Sequence, residues 1–135
     1  MTTMSAPHPT APDAAYFLWR AKAVVDSLPA EFREPLREVV LSVAEFATTD
    51  QLEAVGLADK CELSGLYEGT PLPERSSWQT GDLPPRITLF RQPLLIEWRE
   101  TGVGLDELIR HVTIHEAGHH FGFSDDDMHR LEEQA

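Results

Sequence analysis

The sequence holds a single cysteine, Cys61, among 135 residues. An internal disulfide is therefore excluded, and the chain fits a reducing cytoplasm. Basic residues are scarce: 11 Lys and Arg stand against 23 Asp and Glu, for a net charge of −12. Nucleic acid is bound through clustered Lys and Arg, so no nucleic-acid partner is expected. The acidic balance serves solubility first, and attraction of basic or neutral substrates second. No apolar run approaches the ~20 residues of a membrane span, and no membrane association is expected. Residues 1–9 carry neither a basic stretch nor an apolar core, so no secretory signal is visible. Internal repeats are absent too, which removes solenoid and propeller architectures.

What remains is the composition of one globular domain, 41% hydrophobic. Residues 1–11 are rich in Pro, Thr and Ala and read as a disordered tail. Residues 12–135 read as one domain, with a monomer expected. Pro12 and Asp13 open a helix over residues 14–28, where Phe17, Ala21, Val24, Val25 and Leu28 share a face. Pro29 stops it, and a second short helix fits residues 30–37 with Phe32 and Leu36 inward. Residues 39–46 suit either a helical extension or a strand, and their β-branched residues favour the strand. Thr49 and Asp50 cap a short helix. Leu66 and Tyr67 form a short extended piece among Gly65, Gly69, Pro71 and Pro73. Residues 74–85 are a polar loop, in which Trp78 is read as covering the edge of the core. Residues 86–91 alternate as a strand, Gln92 and Pro93 start a helix through Trp98, and residues 126–133 form a short acidic helix. Cys61 is expected to be a buried or half-buried small hydrophobe rather than a nucleophile.

The chemistry concentrates in one stretch, His115-Glu116-Ala117-Gly118-His119-His120-Phe121-Gly122-Phe123-Ser124-Asp125. It contains H-E-x-x-H, whose two histidines stand four apart. On a helix, that spacing puts both imidazoles one turn apart on one face, where they can share an ion. Leu105, Leu108, Ile109 and Val112 predict such a helix, and the same wheel carries His115, Glu116 and His119 onto the apolar stripe. Glu116 is placed to act as general base on zinc-activated water. Gly122 can end the helix, after which Asp125 can return as a third ligand. Asp126 and Asp127 are adjacent carboxylates of equal competence. Three protein ligands leave a fourth position for water, the mark of a catalytic zinc. His120 points about 100° away from His119 and reads as a packing or hydrogen-bonding residue. His111 reads as a half-exposed helix residue, and His129 has no assigned role. Tyr67, Arg91 and His111 are the candidates for stabilising a transition state.

At these residues the sequence resembles the short bacterial zincin-like metallopeptidases, whose motif is H-E-x-x-H-x-x-G-x-x-D. The segments 65–72 and 87–95 are similar to two other recurrent stretches of that family, and the likeness covers roughly residues 14–127. The resemblance implies a compact α+β domain, with a small sheet packed on helices and the active-site helix near the C-terminus. It also implies zinc, peptidase activity on a peptide or protein substrate, His115, His119 and Asp125 as ligands, and Glu116 as base. The longer metzincins differ, with a histidine at the Asp125 position and a methionine turn that the short tail after Met128 does not accommodate. Two other functions share part of this pattern. A metal-dependent endoribonuclease would use a third histidine and has no need of Glu116. A zinc-containing binding or regulatory module would close its metal site with a fourth protein ligand. An extended substrate is expected along an edge strand, the one holding Ile87 to Arg91.

Overall fold

In the computed structural model, which describes residues 11–75 and 83–134, the first helix starts where the sequence marks it. The Asp13 carboxylate accepts the Tyr16 N–H at 2.9 Å, satisfying one of the donors that a helix start leaves open. Helix α1 (Ala14–Asp26) buries Phe17, Ala21 and Val24. The expected second helix is broken into α2 (Ala30–Arg33) and a 3₁₀ turn (Pro35–Glu38). Pro35 has no N–H with which to continue an α-helical ladder. Strand β1 (Val40–Ala44) follows, as its β-branched residues favour. Helix α3 (Thr49–Ala54) is capped by Thr48, not Thr49: the Thr48 hydroxyl and the Gln51 side chain each bond the other's backbone.

Strands β2 (Gly65–Glu68) and β3 (Arg86–Phe90) complete the sheet of the described residues. Its order is β1-β3-β2, with β1 parallel and β2 antiparallel to β3. The strand expected to offer a free edge is thus the central one. Ile87, Thr88, Leu89 and Phe90 are all buried, because β3 is covered on both faces. Ile87 and Leu89 pack with residues of α1 and of the long C-terminal helix, while Phe90 packs with Ala47 and Leu52 on the other side. The free edges belong to β1 and β2.

Helix α4 (Arg91–Thr101) runs three residues past the expected end and closes on Gly102 at φ 75°. Helix α5 (Leu105–Phe121) carries the motif, and α6 (Asp125–Gln134) ends the described chain. The architecture is α+β, one small sheet with helices against it. No described helix is long and apolar enough to cross a membrane. The tail over residues 1–10, Trp78 and most of the 74–85 loop lie outside the described residues.

Helix α6 docks on α5 through Met128 and Leu131, both buried. Met128 lies over Gly118, so closely that a Cβ there would sit 2.6 Å from Met128 Cγ. Alanine is the better helix former by about 1 kcal/mol. Overpacking costs about 1–3 kcal/mol, so Gly118→Ala should lower the thermal midpoint in calorimetry. A raised midpoint would mean that α6 has room to move away from α5.

Candidate metal centre

The motif helix brings His115, Glu116 and His119 together beside a cleft. His115 and His119 sit one turn apart, their ring centroids separated by 5.0 Å with the planes at 85°. Glu116 Oε1 lies 4.0 Å from His119 Nε2. One donor atom from each of His115, Glu116 and His119 falls within 4.8 Å of the other two. The apolar wheel predicted all three on the buried stripe, and the structure corrects this. Glu116 is buried, but His115 is half-buried and the His119 side chain is 48% exposed. In the second half of α5 the core-facing stripe has rotated to Thr113, Ile114, Ala117 and His120, each fully buried. The neighbours of α5 change along its length: Leu105, Leu108 and Ile109 pack with α1 and α4 residues, whereas Ile114 and Ala117 pack with Val24, Leu28 and Ile87. The side that carries both imidazoles is left with access to solvent, and to an ion.

Glu116 keeps only 11% of its side chain exposed. Burial pushes its carboxyl up to about 7, against the opposing effect of a hydrogen bond from the Tyr67 backbone N–H. That bond requires β2 to lie close on α5. Gly65 allows it: a Cβ there would stand 2.4 Å from Val112 Cγ1 and 3.4 Å from Glu116 Cγ. The resulting cleft, of about 290 Å³, is lined by residues that include Leu63, Gly65, Val112, His115 and Glu116.

The donors fit zinc. Two imidazole nitrogens are among its preferred ligand types, and two donors on one zinc lie at most about 4 Å apart, within a small side-chain rotation of His115 and His119; the Glu116 carboxylate stands close enough to reach water on such an ion. The chain then turns sharply. The Gly122 N–H bonds the His119 carbonyl at 3.1 Å and the Phe123 N–H bonds the Gly118 carbonyl at 3.0 Å, a Schellman turn with Gly122 at φ 72°. Asp125 is the first residue of α6, and its side chain lies outside what the structure describes. Asp127 is committed elsewhere. Its carboxylate accepts the Ser124 N–H at 3.3 Å and pairs with Arg130 at 2.5 Å, while the Ser124 hydroxyl accepts the Asp127 N–H. Asp127 thus closes a cap on α6, and Arg130 and Ser124 hold its carboxyl below the usual range. Asp126 is exposed.

His120 is the hydrogen-bonding residue its position suggested. Its Nδ1 lies 2.7 Å from the Tyr67 hydroxyl and its Nε2 lies 3.1 Å from Glu38 Oε2. Burial lowers the His120 pKa and favours the neutral ring, so Nε2–H donates to Glu38 and Nδ1 accepts from Tyr67. Glu38 in turn pairs with Arg75 at 2.9 Å, which holds its own carboxyl low. Neither Glu38 nor Arg75 was legible as part of this arrangement; they lie 82 and 45 positions from His120 and match no motif. The three candidates for transition-state stabilisation all have structural partners. Tyr67 holds His120, Arg91 binds Glu45 and the Pro12 carbonyl, and His111 pairs with Glu132 at 2.7 Å. His129 is exposed beside His111. Cys61 is exposed, contrary to expectation, because the turn that carries it is surface backbone capped by Asp59. Desolvation, then the neighbouring Asp59, push its thiol up, away from the reactive thiolate.

The profile of the zincin-like metallopeptidases matches residues 36–135. No curated protein matches the chain. The match takes in all three strands, the motif helix and α6, and the chain belongs to the zincin-like metallopeptidase family.

The metal-stripped protein should reveal the burial of Glu116. Its folded pKa, about 7, lies above the unfolded value of 4.5. The stability this group contributes is complete below the unfolded value and is lost as pH rises through the folded one. The loss is on the order of 3 kcal/mol at most. In urea melts at pH 5 and pH 8, Glu116→Gln should gain on wild type at the higher pH. A pH-independent difference between the two would show that the carboxylate is hydrated.

Proposed function

We propose that the chain is a zinc peptidase in which His115, His119 and Asp125 hold the metal and Glu116 is the general base. The observation that carries this reading is the buried Glu116 carboxylate, which lines an open cleft and stands beside two histidines. A metal that only holds a fold together has no use for such a group. The pairing of Asp127 with Arg130 and Ser124 supports Asp125 over its neighbour as the third ligand. Zinc, when bound, supplies Lewis acidity toward water and a peptide carbonyl. Glu116 takes the proton of the attacking water and delivers it to the leaving amine. The Tyr67 backbone N–H favours the charged form of that carboxylate. An extended peptide is accommodated along β2, the free edge beside Glu116, by adding to the sheet through backbone hydrogen bonds. Cytoplasmic residence and a monomer complete the reading.

Zinc content tests the ligand set. Purified protein should carry about one zinc per chain, and His115→Ala or His119→Ala should abolish it. Asp125→Ala should release the metal to a weak chelator, whereas Asp126→Ala and Asp127→Ala should retain it. Release by Asp127→Ala alone would move the third ligand two residues along.

The base is tested by Glu116→Gln, which keeps the size and hydrogen bonding but cannot take a proton. It should fold and bind zinc, yet cleave a mixed peptide library at least about 10²-fold more slowly than wild type. Equal cleavage by both proteins, read by mass spectrometry, would remove Glu116 from the mechanism.

A further inference from the structure

We infer that the cleft beside Glu116 selects a lysine or arginine side chain, with Glu62 and Glu97 reading its charge; this deepens the peptidase reading and rests on it. The two glutamates reach the same space from separate elements. Glu62 ends the 3₁₀ turn Lys60–Glu62, and Glu97 stands in the middle of α4, which packs against that turn. Both line the cleft that holds Glu116 and His115. Among the described residues no lysine or arginine lines it, and neither carboxylate is paired with another of them. Leu63 and Val112 give the same cleft an apolar wall.

That combination matches one class of side chain. Lysine and arginine are apolar stems that end in a cation. The stem gains by covering Leu63 and Val112, and the head gains by meeting two carboxylates that have no partner among the described residues. An acidic side chain would meet uncompensated like charge, and a neutral one would leave both carboxylates without a counter-ion. Low-dielectric walls focus the field of charges within a cleft, so the pair acts more strongly there than on open surface. A second metal site is not the better reading. The one three-donor group among the described residues is His115, Glu116 and His119, and it includes neither Glu62 nor Glu97.

The test is binding, measured on Glu116→Gln protein with and without zinc so that turnover does not intervene. Two fluorescently labelled alanine-glycine peptides are compared by anisotropy, identical but for a central arginine or glutamine. The arginine peptide should bind about tenfold more tightly. Adding Glu62→Gln and Glu97→Gln should erase that preference. Adding Glu31→Gln and Glu133→Gln, two exposed residues outside the cleft, changes the net charge equally and should preserve it. Equal binding of the two peptides, binding of neither, survival of the preference in the cleft variant, or its equal loss in the control overturns the inference. Library cleavage by the wild type separates this from the parent reading. Cleavage without enrichment of basic residues rejects the charge selection and leaves the peptidase standing. Arginine preference in binding without any cleavage does the reverse.

Discussion

The structure depends on keeping one carboxylate out of water while leaving its neighbours wet. Glu116 is buried, and His119, three residues on, has nearly half its side chain exposed. Burying an ionisable group costs several kcal/mol unless something compensates. Here the compensation is partial: a single backbone N–H from β2, and a pKa raised toward neutrality. A cation beside Glu116, which the family implies, would favour its charged form. The placement of β2, the glycine at its start, and the rotation of the core stripe along α5 all serve that one arrangement.

Helix α5 meets two demands along its length. Its first turns bury Leu105, Leu108 and Ile109 against α1 and α4 residues, as an ordinary amphipathic helix would. Its last turns give the core Ile114, Ala117 and His120, give the cleft His115 and Glu116, and set His119 beside them. The helix can do both because the motif occupies positions that the core has no claim on. Gly118 belongs to neither face; it is the low point over which Met128 lays α6.

How much of this could be read from residues alone follows from the range of the interactions involved. Local signals were legible: the Asp13 cap, the break at Pro29, the strand at residues 86–90, the glycine that ends α5, and the H-E-x-x-H pair. Small displacements arose where two residues could serve the same purpose, as with Thr48 and Thr49 before α3. Pro35 was a local signal that the reading of residues 30–37 passed over. The larger misses were non-local. Whether β3 is central or at an edge is decided by which strands flank it, and its own alternation does not say. Glu38, Arg75, Glu62 and Glu97 enter the site region only through tertiary packing. His119 was misplaced because a helical wheel assumes one core-facing stripe, whereas α5 meets different neighbours along its length.

The bond from His120 to Glu38 spans 82 residues, and β1 and β3 pair in parallel across an excursion that contains α3 and β2. Contacts of that separation form slowly, because loop closure must be met before any pairing is gained. The motif, by contrast, sits within five consecutive residues on a helix that forms early and locally. A refolding chain can therefore hold both histidines on one helical turn before the sheet is in place. In that interval the pair stands without the cleft and without the buried surroundings of Glu116. Those arrive only with the long-range closures, so the fold sets the order in which the parts of the region appear.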